Sequence, residues 1–138
     1  MKRIFIILLF AQSTLVYAND EAIGCYVVQV ASPSGKVEAK SLQLTSEPAN
    51  PPWGVAGGMR VLPANPKDKF NYSAVYWVRE NGSVVVTFSN NGLSGVQIRA
   101  RESGSGFQGT IEHFWDTEPS VTESHKVVLA RQPCNSFR

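Results

Sequence analysis

From residue 81 onward, turn signals recur about every ten residues, and that rhythm limits what the chain can fold into. Asn81-Gly82 is a two-residue hairpin turn; Asn90-Asn91-Gly92, Ser103-Gly104-Ser105-Gly106 and Asp116-Thr117-Glu118-Pro119 follow, and Pro33-Ser34-Gly35 stands earlier. The segments between them are 26–30, 70–78, 83–89, 93–101, 107–115 and 126–131. They have strand lengths, are rich in β-branched and aromatic residues, and show no helical period. The expected fold is all-β: an antiparallel up-and-down meander, closed or partly closed into a small barrel, with a β-sandwich as the alternative.

Residues 47–69 break the rhythm. Pro48, Pro51, Pro52, Pro63 and Pro66 remove ladder donors, and Gly54, Gly57 and Gly58 loosen the backbone. This reads as irregular loop around one short strand, Met59 to Leu62. As the longest loop it is a natural place for recognition, with Trp53 as its anchor.

The first eighteen residues read as a signal peptide. Lys2 and Arg3 precede the apolar run from Ile4 to Phe10, and Val16-Tyr17-Ala18 suits cleavage after Ala18. That run is too short for a membrane span. Residues 19–138 then form one exported domain, secreted or periplasmic. Of 13 Lys+Arg, two leave with the leader, so 11 basic residues face 11 acidic ones. A balanced charge gives no footprint for nucleic acid or an anionic membrane surface. Cys25 and Cys134, an even count in an exported chain, are expected to form one disulfide. The alternative at Ala22-Ile23-Gly24-Cys25, a lipid-bearing cysteine, places Asp20 and Glu21 inside what would be an apolar leader. The sequons at Asn71 and Asn81 matter only in a eukaryotic secretory pathway, and the leader looks bacterial.

Alternation splits each strand into two faces. Val84, Val86 and Phe88 form an inward face, as do Val96, Ile98 and Ala100. In 70–78 the even residues Phe70, Tyr72, Ala74, Tyr76 and Val78 outnumber the odd apolar ones, which puts Tyr76 inward and Trp77 outward. In 107–115 the odd residues Phe107, Ile111, His113 and Trp115 face inward, while Glu112 and Asp116 face out. His113 therefore lacks a carboxylate partner from its own strand.

Routes to catalysis are poor. There is no Gly-x-Ser-x-Gly elbow, no phosphate-cradling loop opening a helix, and no cysteine without its expected partner. Glu123 and His125 are too few ligands for zinc. No cofactor, metal or catalytic residue is expected. Arg99 and Arg101 share an outer face that reads as solvated.

Gly24-Cys25-Tyr26 on the first strand and Arg131 near the end of the last resemble the lipocalin/calycin arrangement, with Tyr26 where that family carries Trp. The resemblance implies an eight-stranded cup with an interior ligand cavity, and a floor closed by Arg131 packed on Tyr26. The expected function is that of an exported, monomeric, non-enzymatic binding protein. It would hold a small apolar or amphipathic ligand inside the barrel among His113, Trp115, Tyr76, Phe88 and Trp53. The alternative is an interaction or inhibitor module that meets an extracellular protein through the 47–69 loop.

Overall fold

The computed structural model describes residues 20–30, 40–115 and 124–137; the expected leader, the turn expected at 33–35, Asp116 and Glu123 lie outside them. Eight antiparallel strands follow one another in sequence order: β1 (Gly24–Val30), β2 (Ser41–Pro48), β3 (Met59–Leu62), β4 (Ala74–Glu80), β5 (Ser83–Ser89), β6 (Ser94–Ser103), β7 (Gly106–Trp115) and β8 (Ser124–Gln132). Each pairs with the next, and β8 returns to β1, so the meander closes into a barrel. Closure removes the free edges that a flat sheet of this length would expose. The architecture is compatible with a lipocalin-like fold.

Six of these strands follow the expected segments, and the short β3 keeps its expected bounds. β2 is additional. Its sequence SLQLTSEP alternates weakly, but Leu42 and Leu44 are fully buried.

The register fixes which residues face inward. Trp77 lies opposite Val86, Val86 opposite Ile98, and Ile98 opposite Ile111. Trp77 is therefore an inner residue, and its exposure is 0%. Tyr76 pairs with Thr87 and Thr87 with Gln97, a row on the outer face. This reverses the parity expected for this strand. The expectation counted Phe70 and Tyr72 as strand residues, but both precede β4 in an irregular segment. The inner face also carries Arg79, beyond the expected end of the strand, whose charge is neutralised at one end of the barrel as described below.

The middle of the barrel is solid. Trp77, Tyr26, Leu42, Leu44, Val84, Val86 and Leu129 have no exposed surface, so no water-sized space adjoins them. Removing a large core side chain such as Trp77 costs about 3–5 kcal/mol. Its indole N–H donates to the Thr45 carbonyl at 2.9 Å, where the β2–β3 register shifts between Leu44 and Pro48. The irregularity in β2 thus supplies the acceptor that a buried Trp needs.

One end of the barrel is closed by charge and covalent bond. Arg131 stands 5.0 Å from the Tyr26 ring centroid. It donates to the Ile23 carbonyl at 3.1 Å, the Tyr26 hydroxyl at 2.6 Å and the Glu21 carbonyl. This is the floor contact that the family resemblance implies. Gly24 admits it: a Cβ there would meet the guanidinium at 2.5 Å. Beside it Arg79 lies 5.5 Å from the Phe107 ring centroid and bonds Asp20 and Glu102. Cys25 and Cys134 are bonded, with Cα atoms 5.2 Å apart, and this ties a short 3₁₀ helix (Cys134–Phe137) to the start of β1.

Candidate functional site

Opposite the floor the wall is uneven. β3 and β4 share only two registered pairs, Met59↔Trp77 and Arg60↔Tyr76. Yet β3 continues to Leu62, and β4 already begins at Ala74. Pairing stops while both strands still have residues to offer. A cleft of about 510 Å³ opens there, lined among others by Pro51, Arg60, Leu62, Phe70, Tyr72 and Val75. Pockets that hold small ligands commonly measure ~300–1,000 Å³.

Local chemistry explains why the cleft stays open. Pro63 follows Leu62 and has no N–H to extend the ladder. Residues 65–68 form a turn, with the Asp68 N–H donating to the Asn65 carbonyl at 3.0 Å. The chain re-enters the sheet through Ser73, whose N–H and hydroxyl both donate to the Asn90 side chain, at 2.7 and 3.2 Å. Phe70 and Tyr72 are thereby held over the barrel end. Their rings sit 5.6 and 5.5 Å from that of Phe88, edge-on and tilted.

The cleft is nearly neutral. Arg60 is bridged to Glu47 at 3.1 Å, and Asp68 and Lys69 bring one charge of each sign. It therefore does not select strongly charged ligands, while its aromatic and proline surfaces favour apolar contact.

The five residues singled out from the sequence do not form one site. Phe88 is 3% exposed and lies beneath Phe70 and Tyr72 as part of the core. His113 is on the inner face as expected, opposite Val96, but it is exposed rather than enclosed. Trp115 is 46% exposed. Both remain registered with β6, His113 with Val96 and Trp115 with Ser94, at the end of the barrel away from the floor. Their rings stack with centroids 6.0 Å apart. Tyr76 is on the outer face and meets the 47–69 segment near Gly58. Trp53 is half-buried outside the barrel against Gly92, where an added Cβ would fall 2.6 Å from the indole. Its N–H is buried without a hydrogen-bond partner. The 49–58 loop is thus pinned to the β5–β6 turn by its Trp and does not reach outward as a free arm.

Phe70, Tyr72 and Pro51 were the residues that sequence reading missed as a group. Nothing in their spacing connects them; the end of the β3–β4 register does. Among the described residues no three His, Cys, Asp or Glu side chains gather to hold a metal. No described helix is long and apolar enough to cross a membrane.

The fold and cleft define a small, disulfide-closed, eight-stranded barrel with a filled centre and a lateral opening near one end. Comparison with known proteins gives no match, whether with family models, curated sequences or solved structures.

Proposed function

We propose that this is an exported, non-enzymatic binding protein on a lipocalin-like barrel, and that it takes an apolar or amphipathic ligand in the β3–β4 cleft. The reading rests on one observation: an aromatic-lined opening of about 510 Å³ beside a barrel centre that has no water-sized space next to its largest side chains. A ligand of that size displaces little protein when it enters the cleft, whereas entry to the centre requires repacking Trp77 and its neighbours. The disulfide suits an oxidising compartment, which supports export.

A role for the 47–69 segment remains in this reading, in changed form. It contributes a wall of the cleft through Pro51 and Arg60 while Trp53 holds the loop against the barrel. The test is a titration of ¹⁵N-labelled protein with an amphiphilic dye, 1-anilinonaphthalene-8-sulfonate, followed by amide shifts. Changes centred on Leu62, Tyr72 and Val75, and weakened by Tyr72→Ala, are expected. Changes centred on Val86 and Leu129 instead would return the site to the interior and overturn the proposal.

A further inference from the structure

We infer that the ligand of this cleft is an extended peptide segment, held as a short added strand between β3 and β4; this rests on the cleft reading above. The argument begins with the backbone. Val61 and Leu62 are registered with Leu44 and Gln43 of β2, and Ala74 and Val75 with Ser89 and Phe88 of β5. On their other sides β3 and β4 share no registered pair beyond Arg60↔Tyr76, and both stretches line the cleft. A strand presents hydrogen-bonding groups to both sides, and a ladder that stops early leaves two facing edges.

Among common ligands, polypeptide matches such edges best. Its N–H and C=O groups recur at the ~3.3 Å rise of a strand, and its side chains alternate between the two faces. Recognition by strand addition draws affinity from the backbone and specificity from pockets for alternate side chains. Here Phe70, Tyr72 and Val75 supply an apolar surface on which such a side chain can settle. The near-neutral cleft, with Arg60 already bridged to Glu47, is suited to an uncharged backbone rather than to a phosphate or a lipid headgroup.

The same geometry limits the segment. Pro63 ends β3 one residue past Leu62, and the Arg60↔Tyr76 pair closes the cleft at its inner end. A bound stretch of about two residues lies within that interval at strand rise, and the rest of a longer peptide extends past Pro63. Because β3 and β4 are antiparallel, it runs antiparallel to one and parallel to the other.

The experiment compares two probes on the same labelled, disulfide-intact protein. One is a pool of blocked hexapeptides with alternating valine and threonine, together with the same pool N-methylated at alternate residues. The other is the amphiphilic dye used above. The expected result with the unmodified pool is amide shifts at Val61, Leu62, Ala74 and Val75, with slowed hydrogen exchange at the one residue of each pair whose N–H faces the cleft. Binding of the N-methylated pool should be at least about tenfold weaker, since each lost backbone bond removes a ladder contact. Equal binding of the two pools overturns the inference, as does peptide binding elsewhere on the barrel. Dye binding at Tyr72 with no peptide binding also overturns it, yet leaves the cleft as a site. If neither probe moves the cleft amides, both proposals fall.

Discussion

The two ends of this barrel solve opposite problems. At the floor, Arg79 meets Asp20 and Glu102, Arg131 meets Tyr26 and two carbonyls, and a disulfide lies beside them. At the other end the ladder stops short, Leu93 and Trp115 are 56% and 46% exposed, and aromatic rings line an open cleft. The difference teaches where each end invests its side chains. The floor uses polar groups to satisfy one another, whereas the cleft leaves apolar surface and strand edges available to something else.

The sharpest way to break this comparison is to reduce Cys25–Cys134. Its sequence separation is 109 residues, and a closed loop of that size contributes ~4–5 kcal/mol in the chain-entropy model. Denaturant unfolding with and without reductant should show a loss approaching that value. A change under about 1 kcal/mol would mean that the floor holds without its covalent tie.

Next in size is the ion pair. The Asp20 carboxylate accepts hydrogen bonds from Arg79, at 2.8 Å for the shortest, and from the Ala22 N–H at 2.8 Å. The hydrogen bond from Arg79 is the main reason its pKa lies below the ordinary 3.8, with burial opposing the shift. A depressed carboxylate pKa stabilises the fold above the ordinary value, and that stability is lost as pH falls from there through the folded pKa. Asp20→Asn should cost about 1–3 kcal/mol at neutral pH and flatten the acid limb of a stability–pH profile. An unchanged acid limb would remove Asp20 from the floor's support.

Tyr26 sharpens the same point from the alkaline side. Burial is the main cause raising its pKa above the ordinary 10.0, offset in part by Arg131. A raised phenol pKa means stability that is complete below the ordinary value and declines as pH rises through the folded one. Tyr26→Phe should abolish that alkaline decline, measured by thermal melts from neutral pH upward, while keeping the ring beneath Arg131.

The smallest effect belongs to the open end. Trp115→Ala should change stability by no more than about 0.5 kcal/mol, because nearly half of the side chain is already in water. A loss of several times that in a denaturant midpoint would mean that the ring closes the barrel end and does not merely rest on His113.

How far the sequence carried the fold depends on how evenly it alternates. β5 and β6 alternate cleanly, and their inner residues Val84, Val86, Phe88, Val96, Ile98 and Ala100 are all buried as read. β4 alternates against its own chemistry, since the inner residue Arg79 is charged and the outer residues Tyr76 and Val78 are apolar. Only long-range partners, Asp20 at one side and Glu102 at the other, make an inward Arg acceptable. β2 was invisible because its two buried leucines are set among polar residues. The Tyr26–Arg131 contact was legible through family resemblance, not through spacing. The cleft had no local signature at all. It arises where one register ends, and that is a property of two strands more than ten residues apart in sequence.

A meander whose last strand pairs with its first has no intrinsic beginning. Cys25 and Cys134 bring the two ends of the sheet together at the floor, and the exposed Asn81-Gly82 turn lies on the same side of the barrel. Circular permutation should therefore be tolerated: residues near the disulfide can be joined by a short linker and new termini opened at that turn. The permuted chain would keep every rung of the barrel and leave the β3–β4 opening untouched.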